Sequence, residues 1–365
     1  MKTVFVSVIL VIFVLPGVIF AFHEGGSGYC QGCHVFHVPP GNSNQTTSAM
    51  LIGSDPSSTC LRCHAEAGQY YNVLSFNGSS YTPGGDFYWL KKTFTWKKGA
   101  LTFYSEGDNH GHNIVANDYG AQADITQTAA PGGTYPSSGL SCISCHNPHA
   151  RTGVDATGTP TENYRLLGGD GYSDSTNVSG TSFTDPAPIA AYDAYDWTES
   201  DTSHVAYGSG MSEWCGNCHV GFLNNSHMHP AGNNEKLSPD IINNYNAYIK
   251  TGDMNGNYST AYLALVPFEQ GITDATLLDP WSTSGPDPAG TANVMCLTCH
   301  RAHASAFNNI GRWDFSATFL ADSHPQYGDD EATGDDVFNS YYGRDIVADF
   351  GEYQSQLCNK CHVQD

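Results

Sequence analysis

Apolar residues are spread thinly along most of this chain, and only a few stretches carry a helical period. The clearest is SPDIINNYNAYIKTG, residues 238–252, in which Ile241, Ile242, Tyr245, Tyr248 and Ile249 form one stripe. Ser238 is placed to cap it, Pro239 suits its first turn and Gly252 lies past its end, so the spacing predicts a helix between them. AYLALVPFEQ (261–270) predicts a short helical turn, and RDIVADFGEYQSQLCNK (344–360) predicts a helix that runs into the last cysteine pair. Elsewhere, runs such as GVDATGTPTENY (153–164) and GYSDSTNVSGTSFTDP (171–186) show neither the helical nor the strand period and read as loops.

The densest apolar run is at the start, MKTVFVSVILVIFVLPGVIFA over residues 1–21. A lone Lys2, a break at Pro16–Gly17 and a small residue, Ala21, describe a secretory signal peptide cleaved before Phe22. The alternative is an uncleaved anchor, because the run approaches the length of a short span. After cleavage, residues 22–365 hold no second segment that could cross a membrane.

Charge narrows the partners. Fourteen basic and 36 acidic residues give a net charge of −22, which repels nucleic acid and anionic lipid alike. The acidic stretch GDDEATGDD (328–336) reads as a solvated loop.

So much irregular chain would argue against a packed domain, but the cysteines alter that. All twelve fall into six C-x-x-C-H signatures, at 30–34, 60–64, 142–146, 215–219, 296–300 and 358–362. This is the attachment signature of c-type haem. The pairs Cys30 and Cys33, Cys60 and Cys63, Cys142 and Cys145, Cys215 and Cys218, Cys296 and Cys299, and Cys358 and Cys361 would each form two thioethers. His34, His64, His146, His219, His300 and His362 would bind the irons from the proximal side. Structural zinc also uses C-x-x-C, yet it does not require a histidine immediately after every pair. No cysteine is left for a disulfide or a nucleophile. Six porphyrins can replace much of an ordinary core, so the expected fold is a multihaem cytochrome c: one domain over 22–365, mostly coil with a few short α-helices wrapped around a row of six haems, and very little β. The signatures are unevenly spaced and form no strict sequence repeat.

Sixteen histidines leave ten beyond the proximal six, enough for bis-histidine ligation throughout with four to spare. Methionine ligation would raise potentials, but Met50, Met211, Met228, Met254 and Met295 could serve one site and not most. Three signatures carry a second histidine, CQGCHVFH (30–37), CISCHNPH (142–149) and CLTCHRAH (296–303). On one helical turn residues three apart share a face, about 5–6 Å between Cβ atoms. The second histidine is too close to reach the far side of the same iron, so it is expected to hold a different one.

Several further stretches resemble the OmcS-like family, the hexahaem outer-surface nanowire cytochromes of metal-reducing bacteria. They are FHEGG, TPGGDFYWLKKTFTW, GHNIVANDYG, APGGTYP, YRLLGGDGY, VAYGSGMSEWCGNCH, HPAGN, CLTCHRAHASAF, YYGR and LCNKCH. The resemblance runs from about residue 22 to 365 and fades over 40–60, 172–200 and 272–292. It implies that His23, His37, His112, His149, His229 and His303 are the distal ligands, and that His110, His204, His227 and His324 are not. It also implies that His37 is donated to a haem of the adjacent subunit, with ligation inside its own chain as the alternative. The expected function is extracellular electron transfer by head-to-tail filaments of identical subunits, exchanging electrons with partner cytochromes and extracellular acceptors. The competing readings are a monomeric shuttle and a multihaem reductase. A reductase needs an iron with an exchangeable position, and the lysine variant C-x-x-C-K is absent.

Overall fold

The computed structural model describes residues 23, 27–35, 50–66, 71–150, 163–174, 182–193, 196–223, 230–329, 333–352 and 356–363. The expected leader, His37, His227, His229 and most of the two Ser/Thr-rich runs lie outside them. Among the described residues the longest helices have nine residues: α2 (Pro56–His64), α3 (Met211–His219) and α4 (Pro239–Ala247). The others are α1 (Ser27–Cys33), α5 (Cys296–Cys299), α6 (Gly334–Ser340), α7 (Ile346–Phe350) and α8 (Gln356–Asn359). Two small antiparallel sheets complete the regular structure, β1 (Phe94–Lys98) with β2 (Leu101–Ser105), and β3 (Ile189–Ala191) with β4 (Ala206–Ser209). The rest is coil and single 3₁₀ turns, in agreement with the expected class. No helix among the described residues is long and apolar enough to cross a membrane.

Local chemistry explains where the helices start. In α2 the Asp55 carboxylate accepts the Ser58 amide at 2.7 Å, and Pro56 occupies the first turn. In α4 the Ser238 hydroxyl accepts the Ile241 amide at 3.3 Å. α3 has only Gly210 before it, and a carboxylate from far along the chain supplies the missing acceptor: Glu269 Oε1 takes the Met211 amide at 2.7 Å. Burial raises the Glu269 pKa above the usual carboxylate range. Asn293 donates to its other oxygen at 2.7 Å.

With so little regular structure, buried polar groups fix the long coil segments to one another. The central example is Glu199, whose carboxylate receives Arg301 at 2.7 Å and Arg312 at 2.9 and 3.1 Å. All three side chains are buried, and Arg301 also lies 3.7 Å over the Tyr342 ring. Burial works against the Glu199 anion, but Arg312 and Arg301 overcome it and hold its pKa below the usual value. Around this group a core of Trp89, Phe94, Tyr245, Leu265, Phe307 and Tyr341 runs through most of the chain.

Four sequence expectations change. Helix α4 stops at Ala247, not near Gly252, because the Tyr248 carbonyl is taken by the buried Lys360 ammonium at 2.9 Å. Residues 261–270 form no helix: the Ala264 amide goes to Asp201 and its carbonyl to Arg312, so the segment is a buried extended run with one turn. The stretch 344–360 is two helices, α7 and α8, separated at Gly351, which has φ 104°. The acidic stretch 328–336 is also only partly a loop, since Asp335 and Asp336 open α6 and Asp336 pairs with Lys92 at 2.9 Å.

Candidate functional site: facing histidine pairs

The described cysteine signatures bring their histidines together in pairs that the sequence does not place side by side. His34 faces His149 with ring centroids 6.2 Å apart, and His64 faces His23 at 6.3 Å. His146 faces His303 at 6.3 Å, and His219 faces His112 at 6.0 Å. Each pair joins one proximal histidine to one expected distal histidine. Two imidazoles bound to opposite sides of one metal through nitrogens about 2 Å away would have centroids roughly 6 Å apart. A true ring stack is much closer, as in His204 on Tyr262 at 3.6 Å. The gap fits a haem iron.

Hydrogen bonds set which nitrogen is available. Nδ1 donates to a backbone carbonyl in His64 (to Tyr71, 3.2 Å), His112 (to Ala302, 2.7 Å) and His146 (to Arg165, 2.9 Å). The same is true of His219 (to Pro131, 2.8 Å), His300 (to Asn309, 2.8 Å) and His303 (to Gly85, 3.4 Å). This leaves Nε2 with its lone pair and orients the ring, the usual support for a metal-binding imidazole. The histidines expected to be spare are built the other way. Nε2 is bonded within the protein in His110 (Ser105 hydroxyl, 2.9 Å), His204 (Ser282 carbonyl, 2.9 Å) and His324 (Asp336 carbonyl, 2.6 Å). Met211 and Met295 are buried in a separate apolar cluster with Leu297 and Tyr164.

Backbone strain helps aim the carbonyls. Tyr71, Arg165 and Asn309 adopt left-handed φ of 44°, 47° and 58°, which costs an ordinary residue about 1–2 kcal/mol each. Two Pro-Gly-Gly segments make close approaches possible. A Cβ at Gly85 would run into the Ala304 carbonyl beside His303, and one at Gly133 would run into the Cys218 carbonyl beside His219.

The three signatures with a second histidine share one backbone clamp. Val35 donates to Met50 at 2.7 Å and Ile52 to Cys33 at 2.9 Å. Asn147 to Leu166 (2.7 Å) and Gly168 to Cys145 (2.8 Å) repeat that pattern, as do Arg301 to Ile310 and Arg312 to Cys299 (both 2.8 Å). The clamp corrects the expectation of a shared helical face: His300 is already extended at φ −112°, ψ 164°. The two histidines of a motif therefore diverge to different partners. His300 has no facing histidine among the described residues, and its ring meets Phe315 at 5.3 Å. The expected distal residues His37 and His229 lie outside the described residues. Burial lowers the pKa of His23, His112 and His146, and pushes that of His303 down to about 3, so these rings are held neutral as ligation requires.

No family model matches the sequence. The chain is similar to the C-type cytochrome OmcS of Geobacter sulfurreducens, at 40% identity over 95% of both chains. Its fold is similar to a solved structure of the outer membrane cytochrome S filament of that organism, with a TM-score of 0.77 and 39% identity over 94% of this chain and 100% of the other. A second solved structure, from cryo-EM of the OmcS nanowires of G. sulfurreducens, gives a TM-score of 0.78 and 36% identity over the same shares.

Proposed function

Because the chain belongs to the OmcS family of c-type cytochromes, we propose that it carries six bis-histidine haem c groups and polymerises head to tail into an extracellular electron conduit. In this reading residues 1–21 are a leader removed on export and residues 22–365 form one domain. The twelve signature cysteines anchor the haems, and His34, His64, His146, His219, His300 and His362 are proximal ligands. Bound haem supplies an iron that accepts and releases one electron. The protein fixes the imidazole tautomer of His64, His112, His146, His219, His300 and His303, and paired histidines would keep water from the irons. With both axial positions filled, electron carriage is favoured over substrate reduction. Partner cytochromes and an extracellular acceptor would load and drain the row.

One observation carries the extension to a filament. His149, of the signature at 142–149, faces His34; His303, of the signature at 296–303, faces His146. Each second histidine thus serves the proximal histidine of the preceding two-histidine signature. The next member of the series for His300 is His37, taken from the following subunit. His229 then remains for His362, completing the distal set of His23, His37, His112, His149, His229 and His303. A contact that uses different surfaces on its two sides, and does not close on itself, builds a filament.

The test is mass spectrometry of the denatured chain with optical spectroscopy and negative-stain microscopy of the native protein. The reading expects six haem additions, low-spin iron without ready carbon monoxide or cyanide binding, and filaments. A strong high-spin band with rapid ligand binding would favour a reductase, and uniform single particles would favour a shuttle.

A further inference from the structure

We propose that β2 pairs edge to edge with β2 of a second copy of this chain, about a two-fold axis at Phe103, and so ties subunits together side by side. The hairpin β1–β2 is backed by histidines that hold no iron in the function proposed above. Phe94 packs against His110 and His324, Trp96 against His324, and the Ser105 hydroxyl bonds His110 Nε2 at 2.9 Å. Nothing therefore marks the outer side of the hairpin as a haem face.

Ladder geometry selects the groups that point outward. The two strands keep one antiparallel register from Phe94–Ser105 to Lys98–Leu101, joined by Gly99 and Ala100, with Gly99 at φ 60°. The turn bond from the Leu101 amide to the Lys98 carbonyl makes that closing pair a hydrogen-bonded one. Bonded pairs alternate along the ladder, so Trp96–Phe103 and Phe94–Ser105 also bond inward. The amides and carbonyls of Thr102 and Tyr104 then point away from β1. No backbone bond reaches them among the described residues, and both residues are exposed, Tyr104 by 64%. Other edges are treated differently. β4 is buried throughout, and its Tyr207 and Gly208 carbonyls accept the Gln270 and Gly271 amides at 2.9 and 2.8 Å. β1 carries Lys97 and Lys98 at its end. β2, Leu-Thr-Phe-Tyr-Ser, has no charge, proline or bulge, the features that keep strand edges apart.

A second copy fits this edge in both shape and charge. Antiparallel pairing about Phe103 sets Thr102 opposite Tyr104 of the second copy, and Tyr104 opposite its Thr102. The outward groups of the two strands then satisfy one another, and the two Phe103 side chains meet in the closer, non-hydrogen-bonded pair. Residues 94–105 contain two lysines and no acid, in a chain of net charge −22, so copies meet here without opposing acids. The same pairing brings the exposed Glu106, which follows β2, alongside the Lys97–Lys98 end of the other hairpin. A two-fold contact uses one surface twice and closes, so it adds no length to a head-to-tail row. It joins one subunit, or one filament, to another lying beside it, and it does not depend on the filament reading.

Sedimentation velocity of the dispersed holoprotein, with negative-stain imaging of any filaments, tests this. Thr102→Pro removes an edge amide, and Tyr104→Lys adds like charge to both sides of the contact. The Tyr104 side chain is already in solvent, so Tyr104→Lys decides the matter if Thr102→Pro disturbs the fold. Ile125→Lys, outside the hairpin at a position exposed by 90%, is the control. The expected result is that wild type and Ile125→Lys associate in pairs, as dimers or as filaments lying side by side. The β2 variants, with unaltered haem spectra, stay single. Wild-type protein that stays unpaired, or a Tyr104→Lys protein that pairs as wild type does, overturns the inference. Filament length, which reads the conduit proposal, is scored separately.

Discussion

The imidazole of His149 faces that of His34, with centroids 6.2 Å apart and planes 11° from parallel, and not that of His146 three residues before it. The same displacement separates His303 from His300 and sets it across from His146. If the facing pairs are iron ligands, loss of the second histidine of a motif should open an iron at a different signature. His303→Ala is expected to leave six covalent haems but to create one high-spin iron per chain that binds one carbon monoxide. Optical titration with carbon monoxide reads this directly; an unchanged low-spin spectrum would mean that His303 is not a ligand.

The four pairs differ in how their ring planes are turned. His34 with His149 and His23 with His64 are near parallel, at 11° and 14°, while His112 with His219 and His146 with His303 are inclined by 38° and 53°. The relative orientation of axial imidazoles sets the anisotropy of a low-spin ferric centre. Electron paramagnetic resonance of the oxidised protein should therefore resolve at least two low-spin classes, the inclined pairs having the larger maximum g value. One uniform signal would contradict these geometries.

Stability should fall on acidification. His110 and His324 are buried against Phe94, and burial pushes both down to about 4 against 6.5 in the unfolded chain. Asp336 beside His324 opposes the shift, and the neighbouring His110 adds to it. Below pH 6.5 the unfolded chain takes up protons that the folded chain refuses, so this stabilisation is complete above 6.5 and is lost as the pH drops toward 4. Guanidinium titrations at pH 7, 5.5 and 4 should show a falling midpoint, and His110→Gln with His324→Gln should flatten it. Equal slopes in both proteins would contradict the assignment.

Glu199 neutralises one of two buried guanidinium charges, so its removal should cost far more than a surface ion pair. Glu199→Gln leaves Arg301 and Arg312 facing each other without a counter-charge, and a loss of about 3–5 kcal/mol is expected. Chemical denaturation of the holoprotein measures it. A loss below about 1 kcal/mol would mean that another group compensates the pair.

Much of the site was legible because attachment chemistry fixes its spacing. Four signature histidines, His34, His64, His146 and His219, and four from resembling segments, His23, His112, His149 and His303, are brought into facing pairs. Tertiary partners account for what could not be read. Lys360 ends α4 by taking the Tyr248 carbonyl, and Asp201 and Arg312 draw Ala264 out of any helical turn. The left-handed Tyr71, Arg165 and Asn309 carry no glycine to announce them, since the histidine hydrogen bonds hold them there.

The central claim is that a histidine of one subunit completes a metal site of another. Two acidic chains repel each other, more strongly at low salt, so little besides that bond and apolar packing would hold a junction together. Negative-stain microscopy of His37→Ala, purified with its six haems, tests the claim most directly. The account predicts single particles or short oligomers where the wild-type protein forms filaments; filaments of wild-type length would contradict it.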